Sequence, residues 1–212
     1  MNRRQFMTTS LAAAVAMGIG GMNAFNKTVE AKVKKSMNIL VLTGSPRKNG
    51  NSAALAAQFI RGAEEAGHTV ARFDAAFKNV HPCTACNSCG MDGPCVFQDD
   101  FHFVREHIIP AELVAFATPM YYFGFSTQLK AVIDRFYAIN GSIHAAKKAV
   151  LMMTYANTSA RDASPIMTHY EVLLEYLGWT DAGRVIAPGV WPAGAINSTS
   201  YPRQAYELGR KL

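Results

Sequence analysis

The chain has 212 residues, half of them hydrophobic, which is enough for one well-filled core. Its formal charge is +6, of which Arg3, Arg4, Lys27 and Glu30 contribute +2, leaving +4 for the rest. No run of Lys or Arg accompanies that mild excess, so polynucleotide binding is excluded and ordinary solubility with some preference for anionic ligands remains.

Residues 1–31 read as an address rather than as part of the fold. Asn2-Arg3-Arg4-Gln5-Phe6-Met7 resembles the twin-arginine export consensus, with Asn2 where serine is usual. The apolar run Leu11–Gly21 is short for a bilayer span, and small residues at Ala24 and Ala31 offer two cleavage points. Basic, apolar and small regions in that order predict a periplasmic or otherwise exported protein with no stable membrane span after signal removal. The competing reading is a buried or anchoring N-terminal helix.

From residue 37 onward strand and helix alternate. Asn38–Thr43 is apolar enough for a strand buried on both faces. Leu55, Phe59, Ile60 and Ala63 recur at helical spacing until Gly67, and Thr69–Phe73 is a second strand. Asp100 is expected to cap a helix with Phe101, Val104 and Ile108 on one face, ended by Pro110. Glu112–Thr118 is the third strand, and Leu129 to Tyr137 the next amphipathic helix, with Lys130 and Asp134 a structural i,i+4 pair. Ala149–Thr154 is the fourth strand, a helix carries Met167, Tyr170, Leu174 and Leu177 to Gly178, Arg184–Ala187 is the fifth strand, and Pro202–Leu212 a closing helix. This alternation predicts an α/β, doubly wound five-stranded parallel sheet of order 2-1-3-4-5 over residues 37–212, with ligands in the loops after strands one, three and four.

The loop after strand one, Thr43-Gly-Ser-Pro-Arg-Lys-Asn-Gly-Asn-Ser52, lacks the triphosphate and dinucleotide fingerprints. It is still suited to an anion: Gly44 and Gly50 let the backbone turn, Ser45, Asn51 and Ser52 bring donors, Arg47 brings a forked cation, and a helix N-terminus follows. The plain alternative is a turn capped by Asn51 or Ser52 with Arg47 solvated.

Two stretches carry a resemblance. GSPRKNGNS, residues 44–52, resembles the phosphate loop of the flavodoxin-like NAD(P)H-dependent FMN reductases, and TPMYYFGFSTQLKAVIDRF, residues 118–136, resembles the flavin-ring segment of the same family. The resemblance implies a flavodoxin-like fold with FMN as cofactor, its phosphate on Ser45, Arg47, Asn51 and Ser52, and its ring along Pro119, Met120, Tyr121, Tyr122, Phe123 and Gly124. Tyr155 and Asn157 are candidates for the other side of the ring. It also implies NAD(P)H as a possible electron donor and a homodimer or homotetramer, since flavin sites in this family are often completed across subunits. Pro119 and Gly124 predict that the aromatic stretch is a loop.

Every cysteine falls in residues 81–98. Cys83-x2-Cys86-x2-Cys89 packs three thiols into seven residues, a density suited to three corners of a cubane cluster, and Cys95 lies close enough to be a fourth ligand. Disulfides, zinc and a thioredoxin-type pair are the alternatives, with very short rings and the lack of separated knuckles against the first two. The arrangement, followed by Asp99-Asp100, resembles the iron–sulfur flavoproteins, and that resemblance implies one [4Fe–4S] cluster on Cys83, Cys86, Cys89 and Cys95 beside FMN. Three functions follow: a redox flavoprotein moving electrons between FMN and a cluster, with a redox protein or quinone as partner; an NAD(P)H-dependent FMN or quinone reductase without a cluster; and a non-catalytic, disulfide-stapled binding domain. No general acid or base is assigned, and among the histidines only His81 and His102, flanking the cysteine loop, stand out.

Overall fold

The central strand sets the architecture. β1 (Asn38–Thr43) sends Leu40 and Leu42 to one face of the sheet and Ile39 and Val41 to the other, all buried, because alternate side chains leave a strand on opposite sides. A computed structural model describes residues 35–212 and gathers them into one compact unit; the expected signal over residues 1–31 lies outside the described residues.

β1 pairs in parallel with β2 (Thr69–Asp74) on one side and β3 (Leu113–Tyr121) on the other; β5 (Lys148–Thr154) and β6 (Thr180–Ala187) complete the path β2-β1-β3-β5-β6. This is the expected doubly wound flavodoxin-like order with one addition. A sixth, two-residue strand, β4 (Gly124–Phe125), turns back antiparallel onto Met120 and Tyr121 at the end of β3.

α1 (Asn51–Glu65) and α6 (Tyr201–Lys211) cover one face; α2 (Phe101–Ile108), α3 (Thr127–Asp134) and α5 (Ala160–Leu177) cover the other. α1 and α6 meet backbone to backbone: a Cβ on Gly62 would lie 2.1 Å from the Tyr206 carbonyl oxygen, and one on Gly209 2.2 Å from that of Phe59. α1 stops at Gly67 and α5 at Gly178, both in the left-handed region that favours glycine. Pro165 sits inside α5, and the Arg161 carbonyl that its missing N–H would have served accepts the Ser164 hydroxyl at 2.8 Å.

Three local expectations are corrected. The helix expected through Tyr137 is α-helical only to Asp134; Arg135–Ile139 tighten into a 3-10 turn before α4 (Asn140–Ile143), with Arg135 fully buried. Asp100 does not cap α2 with its side chain. Asp99 does, accepting the Phe101 N–H at 3.1 Å, while the Asp100 carboxylate accepts the Asn79 N–H. Pro119 lies in a strand, not a loop. Ala117 directs its carbonyl to β1, so Pro119, two residues on, faces the same way past the point where β1 has ended, and its missing N–H loses no ladder bond.

Candidate functional site

The loops after β1, β3, β5 and β6 converge at the carboxyl edge of the sheet. Gly44 lets the first of them lie against α3: a Cβ there would stand 2.3 Å from Ser126 Oγ, whose hydroxyl instead donates to the Gly44 carbonyl at 2.7 Å. Ser126 also accepts the Leu129 N–H as the cap of α3, so one buried hydroxyl joins the phosphate-type loop to the ring-type segment. Ser45 closes the turn on itself, donating to the Arg47 carbonyl and accepting the Arg47 N–H.

Gly50 precedes α1, and a Cβ on it would lie 2.5 Å from Ser45 Oγ, so only glycine leaves that concavity open. The first helical bond is Ala54 N–H to the Gly50 carbonyl at 3.0 Å. The N–H groups of Asn51, Ser52 and Ala53 therefore have no intrahelical acceptor and form the positive end of the helix. Neither Asn51 nor Ser52 caps it with a side chain. The Asn51 amide is committed elsewhere: it donates to the Val190 and Pro192 carbonyls at 3.1 and 2.9 Å and accepts the Ile196 N–H at 3.2 Å. The loop after β6 thus engages both donor hydrogens of the side chain that was expected to hold a phosphate, leaving the Asn51 backbone N–H as the free donor there. Ser52 is the opposite case. Its hydroxyl is buried and has no hydrogen-bond partner.

Ser45, Arg47, Asn51, Ser52, Pro119, Met120, Tyr121 and Tyr155 are brought together around one hollow of about 120 Å³. Gly50, Thr154, Ala156, Val190 and Trp191 complete its wall. Trp191, 72% exposed, comes from the loop after β6 and not from the loops after strands one, three and four; an aromatic in a Pro-Gly-Val-Trp-Pro loop at a strand's carboxyl end is its signal in the sequence. Tyr122, Phe123 and Gly124 do not line the hollow. Tyr122 and Phe123 form the tip of the β3–β4 hairpin, both at positive φ, and Tyr122 is fully exposed. Asn157 is also outside, its amide donating to Asp162 at 2.8 Å.

The four cysteines are free thiols, and all four line a second, much smaller hollow of about 10 Å³ beside Arg135 and Tyr137. Among the described residues no three His, Cys, Asp or Glu side chains are gathered tightly enough to hold a metal ion. The loop is nevertheless held in a defined shape. Ala85, Asn87 and Met91 adopt left-handed backbone, a conformation that non-glycine residues keep only when their surroundings enforce it. Tyr137 donates to the Asn87 side chain at 2.8 Å, Asn140 N–H to the Met91 carbonyl at 2.8 Å, and Arg105 to the Gly93 carbonyl at 3.0 Å. Cys86 is exposed, and hydrogen bonds from the Ser88 N–H and hydroxyl pull its thiol below the ordinary value.

Arg135 ties both ends of this loop, a role the sequence did not disclose. It is 1% exposed, donates to the His81 and Phe97 carbonyls, pairs with Asp99 at 2.8 Å and lies against the Phe97 and Phe101 rings. Burial would raise the Asp99 carboxyl, but the bonds from Arg135 and from the His81 and Phe101 N–H groups outweigh it and hold it below its ordinary range. His81 stacks on Phe97 at 3.9 Å and the His102 ring bonds the Asp99 carbonyl, so both flanking histidines brace the loop. A wider cavity of about 630 Å³ opens behind it along Asp100, His102 and Arg105, a mixed lining of both charges.

The family described as NADPH-dependent FMN reductase matches residues 37–188. An iron–sulfur flavoprotein of Archaeoglobus fulgidus is 31% identical over 99 residues, 47% of this chain and 45% of its own length. One from Clostridioides difficile is 26% identical over 156 residues, 72% of this chain and 68% of its own. The chain spans about half the length of the first curated relatives it matches. Among solved structures, an NAD(P)H:quinone oxidoreductase from Methanothermobacter marburgensis superposes with a TM-score of 0.69 at 20% identity, covering 84% of this chain and 96% of that one, a likeness of fold. The family match takes in the strand-one loop and the β3–β4 segment together, and the chain belongs to the NADPH-dependent FMN reductase family of flavin-dependent oxidoreductases.

Proposed function

We propose that the chain is an exported FMN oxidoreductase whose cysteine loop carries one [4Fe–4S] cluster, with electrons exchanged between the two groups and with a redox protein or quinone partner. The observation that carries it is the pairing of two different sites in one domain: an anion cradle at α1 and a hollow lined by four unpaired thiols. The fit to FMN rests on the buried Ser52 hydroxyl without a partner, the open first-turn N–H groups and the glycine cradle at Gly50, which together want an anion with several acceptor oxygens. Ser45, Ser52 and Arg47 would hold the phosphate, with the Asn51 backbone N–H in place of its side chain. Pro119, Met120, Tyr121, Tyr155 and Trp191 would give the ring its apolar walls.

Bound FMN would supply electron exchange singly or in pairs, and a cluster single-electron exchange. The fit to a cluster rests on donor chemistry: four sulfurs and no carboxylate line the hollow. Cys83, Cys86, Cys89 and Cys95 would be its ligands. The names of the archaeal and clostridial relatives support the cluster, and a homodimer or homotetramer completes the proposal.

A second reading, an NAD(P)H-dependent FMN or quinone reductase without a cluster, is favoured by the lack, among the described residues, of a gathered metal-holding group. Anaerobic purification followed by iron, sulfide and flavin analysis separates the two. About four irons and four sulfides per chain with one FMN, and an EPR signal on reduction, are expected for the cluster protein. FMN without iron would establish the second reading, and a colourless protein would defeat both.

A further inference from the structure

Arg135 holds the cysteine loop through its two terminal nitrogens. Nη1 donates to the His81 carbonyl and to Asp99, both at 2.8 Å, while Nη2 reaches Asp99 at 3.3 Å and the Phe97 carbonyl at 3.5 Å. The fork onto the carboxylate leaves the third nitrogen, Nε, outside it. Nε is buried and its N–H has no acceptor. A buried donor without an acceptor destabilises a fold, and the ion pair with Asp99 gains nothing from it.

The same side chain lines the small hollow that holds Cys83, Cys86, Cys89 and Cys95, and among the described residues it is the one charged side chain there. Its charge is balanced by Asp99 at 2.8 Å, so what it can bring to the hollow unopposed is a directed N–H. Free thiols accept hydrogen bonds weakly, whereas the sulfurs of a ligated cluster carry negative charge and accept them well. Such a bond stabilises the reduced cluster, which has one more negative charge, more than the oxidised one, and so raises its reduction potential.

We infer that the Arg135 Nε–H is reserved for a sulfur of the proposed [4Fe–4S] cluster, and that this bond raises the cluster's reduction potential. The inference deepens the proposed function and rests on its cluster reading. The step it biases is the entry of one electron from the flavin, in which no bond breaks and no proton moves. One side chain then does two things: its terminal nitrogens close the loop, and its Nε tunes what the loop carries.

The test compares the full-length parent with Arg135→Met/Asp99→Asn and with Asp99→Asn, all purified anaerobically. Iron, sulfide and melting temperature are recorded for each, and the midpoint potential is read by EPR during a reductive titration. The double variant removes a cation and an anion together, so net charge is unchanged, and the amide oxygen can still accept the Phe101 N–H. Its cluster is expected to shift about tenfold toward the oxidised form, about 59 mV downward for a one-electron couple. Asp99→Asn alone breaks the same ion pair but keeps the Nε–H beside a cation that is no longer balanced, so its potential is expected at or above the parent's. A merely structural role would move both variants alike. Equal potentials in parent and double variant, or equal falls in both variants, would overturn the inference. If the variants do not hold iron, the parent alone decides. Grown with arginine isotopically labelled at its side-chain nitrogens and then reduced, it should show an arginine nitrogen coupled to the cluster in pulsed EPR, and the lack of that coupling would remove the donor. A parent that purifies with FMN and no iron would overturn the cluster reading itself, and this inference with it.

Discussion

Ser52 and Arg135 show two opposite uses of a buried polar group. The Ser52 hydroxyl is unpartnered, a state that ordinarily destabilises a fold, so its presence makes sense as a donor reserved for a ligand. Ser52→Ala is therefore expected to leave the stability of the unliganded protein unchanged or slightly higher while weakening FMN binding about tenfold, read by melting temperature and fluorescence titration. Unchanged affinity would remove Ser52 from the cradle. Arg135 is held through both of its terminal nitrogens, with only its Nε left without an acceptor, and removing it strands a buried Asp99. Arg135→Met should cost roughly 3–5 kcal/mol in denaturant unfolding. Asp99 has its carboxyl held below the ordinary 3.8, so the pair stabilises fully above that value and loses its contribution as pH falls through the lowered one. The variant should lack this part of the parent's acid sensitivity.

At the level of elements, the alternation of strands and helices was legible because hydrophobic periodicity is a local property. The strand of Ile39 to Leu42 and the helix faces of Leu55, Phe59 and Phe101, Val104, Ile108 needed no tertiary information. What escaped was decided by partners distant in sequence. Asn51 reads as a cap but serves residues 190–196, Arg135 carries no local signal yet crosses to Asp99, and Pro119 reads as part of a loop but lies where the neighbouring strand has ended. The two-residue β3–β4 turn is a similar surprise, since Tyr122 and Phe123 occupy left-handed positions that Asn-Gly normally fills. Tyr122→Asn/Phe123→Gly should stabilise the protein by about 1–2 kcal/mol, and no gain would show the strain to be relieved by contacts of the tip. The α1–α6 contact predicts the reverse of the usual helix rule. Gly209→Ala would normally gain about 1 kcal/mol from propensity, yet here it should lose roughly 1–3 kcal/mol, because its Cβ would meet the backbone of α1.

At the scale of the whole molecule, the proposed cofactors and the proposed export route constrain each other. A twin-arginine route carries folded proteins, and an FMN site built from four separate loops, with a cysteine loop pinned by a buried ion pair, exists only after folding. Arg3→Lys/Arg4→Lys is expected to leave an uncleaved, flavin-bearing protein in the cytoplasm while the parent is recovered outside it. Parent and variant in the same compartment, at the same mass, would defeat the export proposal. Among the described residues no helix is long and apolar enough to cross a membrane.

The Asn51 amide carries one more consequence, in time rather than in space. It fastens the mouth of the proposed flavin hollow to carbonyls at Val190 and Pro192 and to the N–H of Ile196, and Trp191 in that same segment is part of the wall. During synthesis the strand-one loop emerges early, but the hollow lacks its Val190 and Trp191 wall until those residues have left the ribosome. Flavin loading then waits on residues 190–196, and chains truncated before residue 190 should emerge without the cofactor.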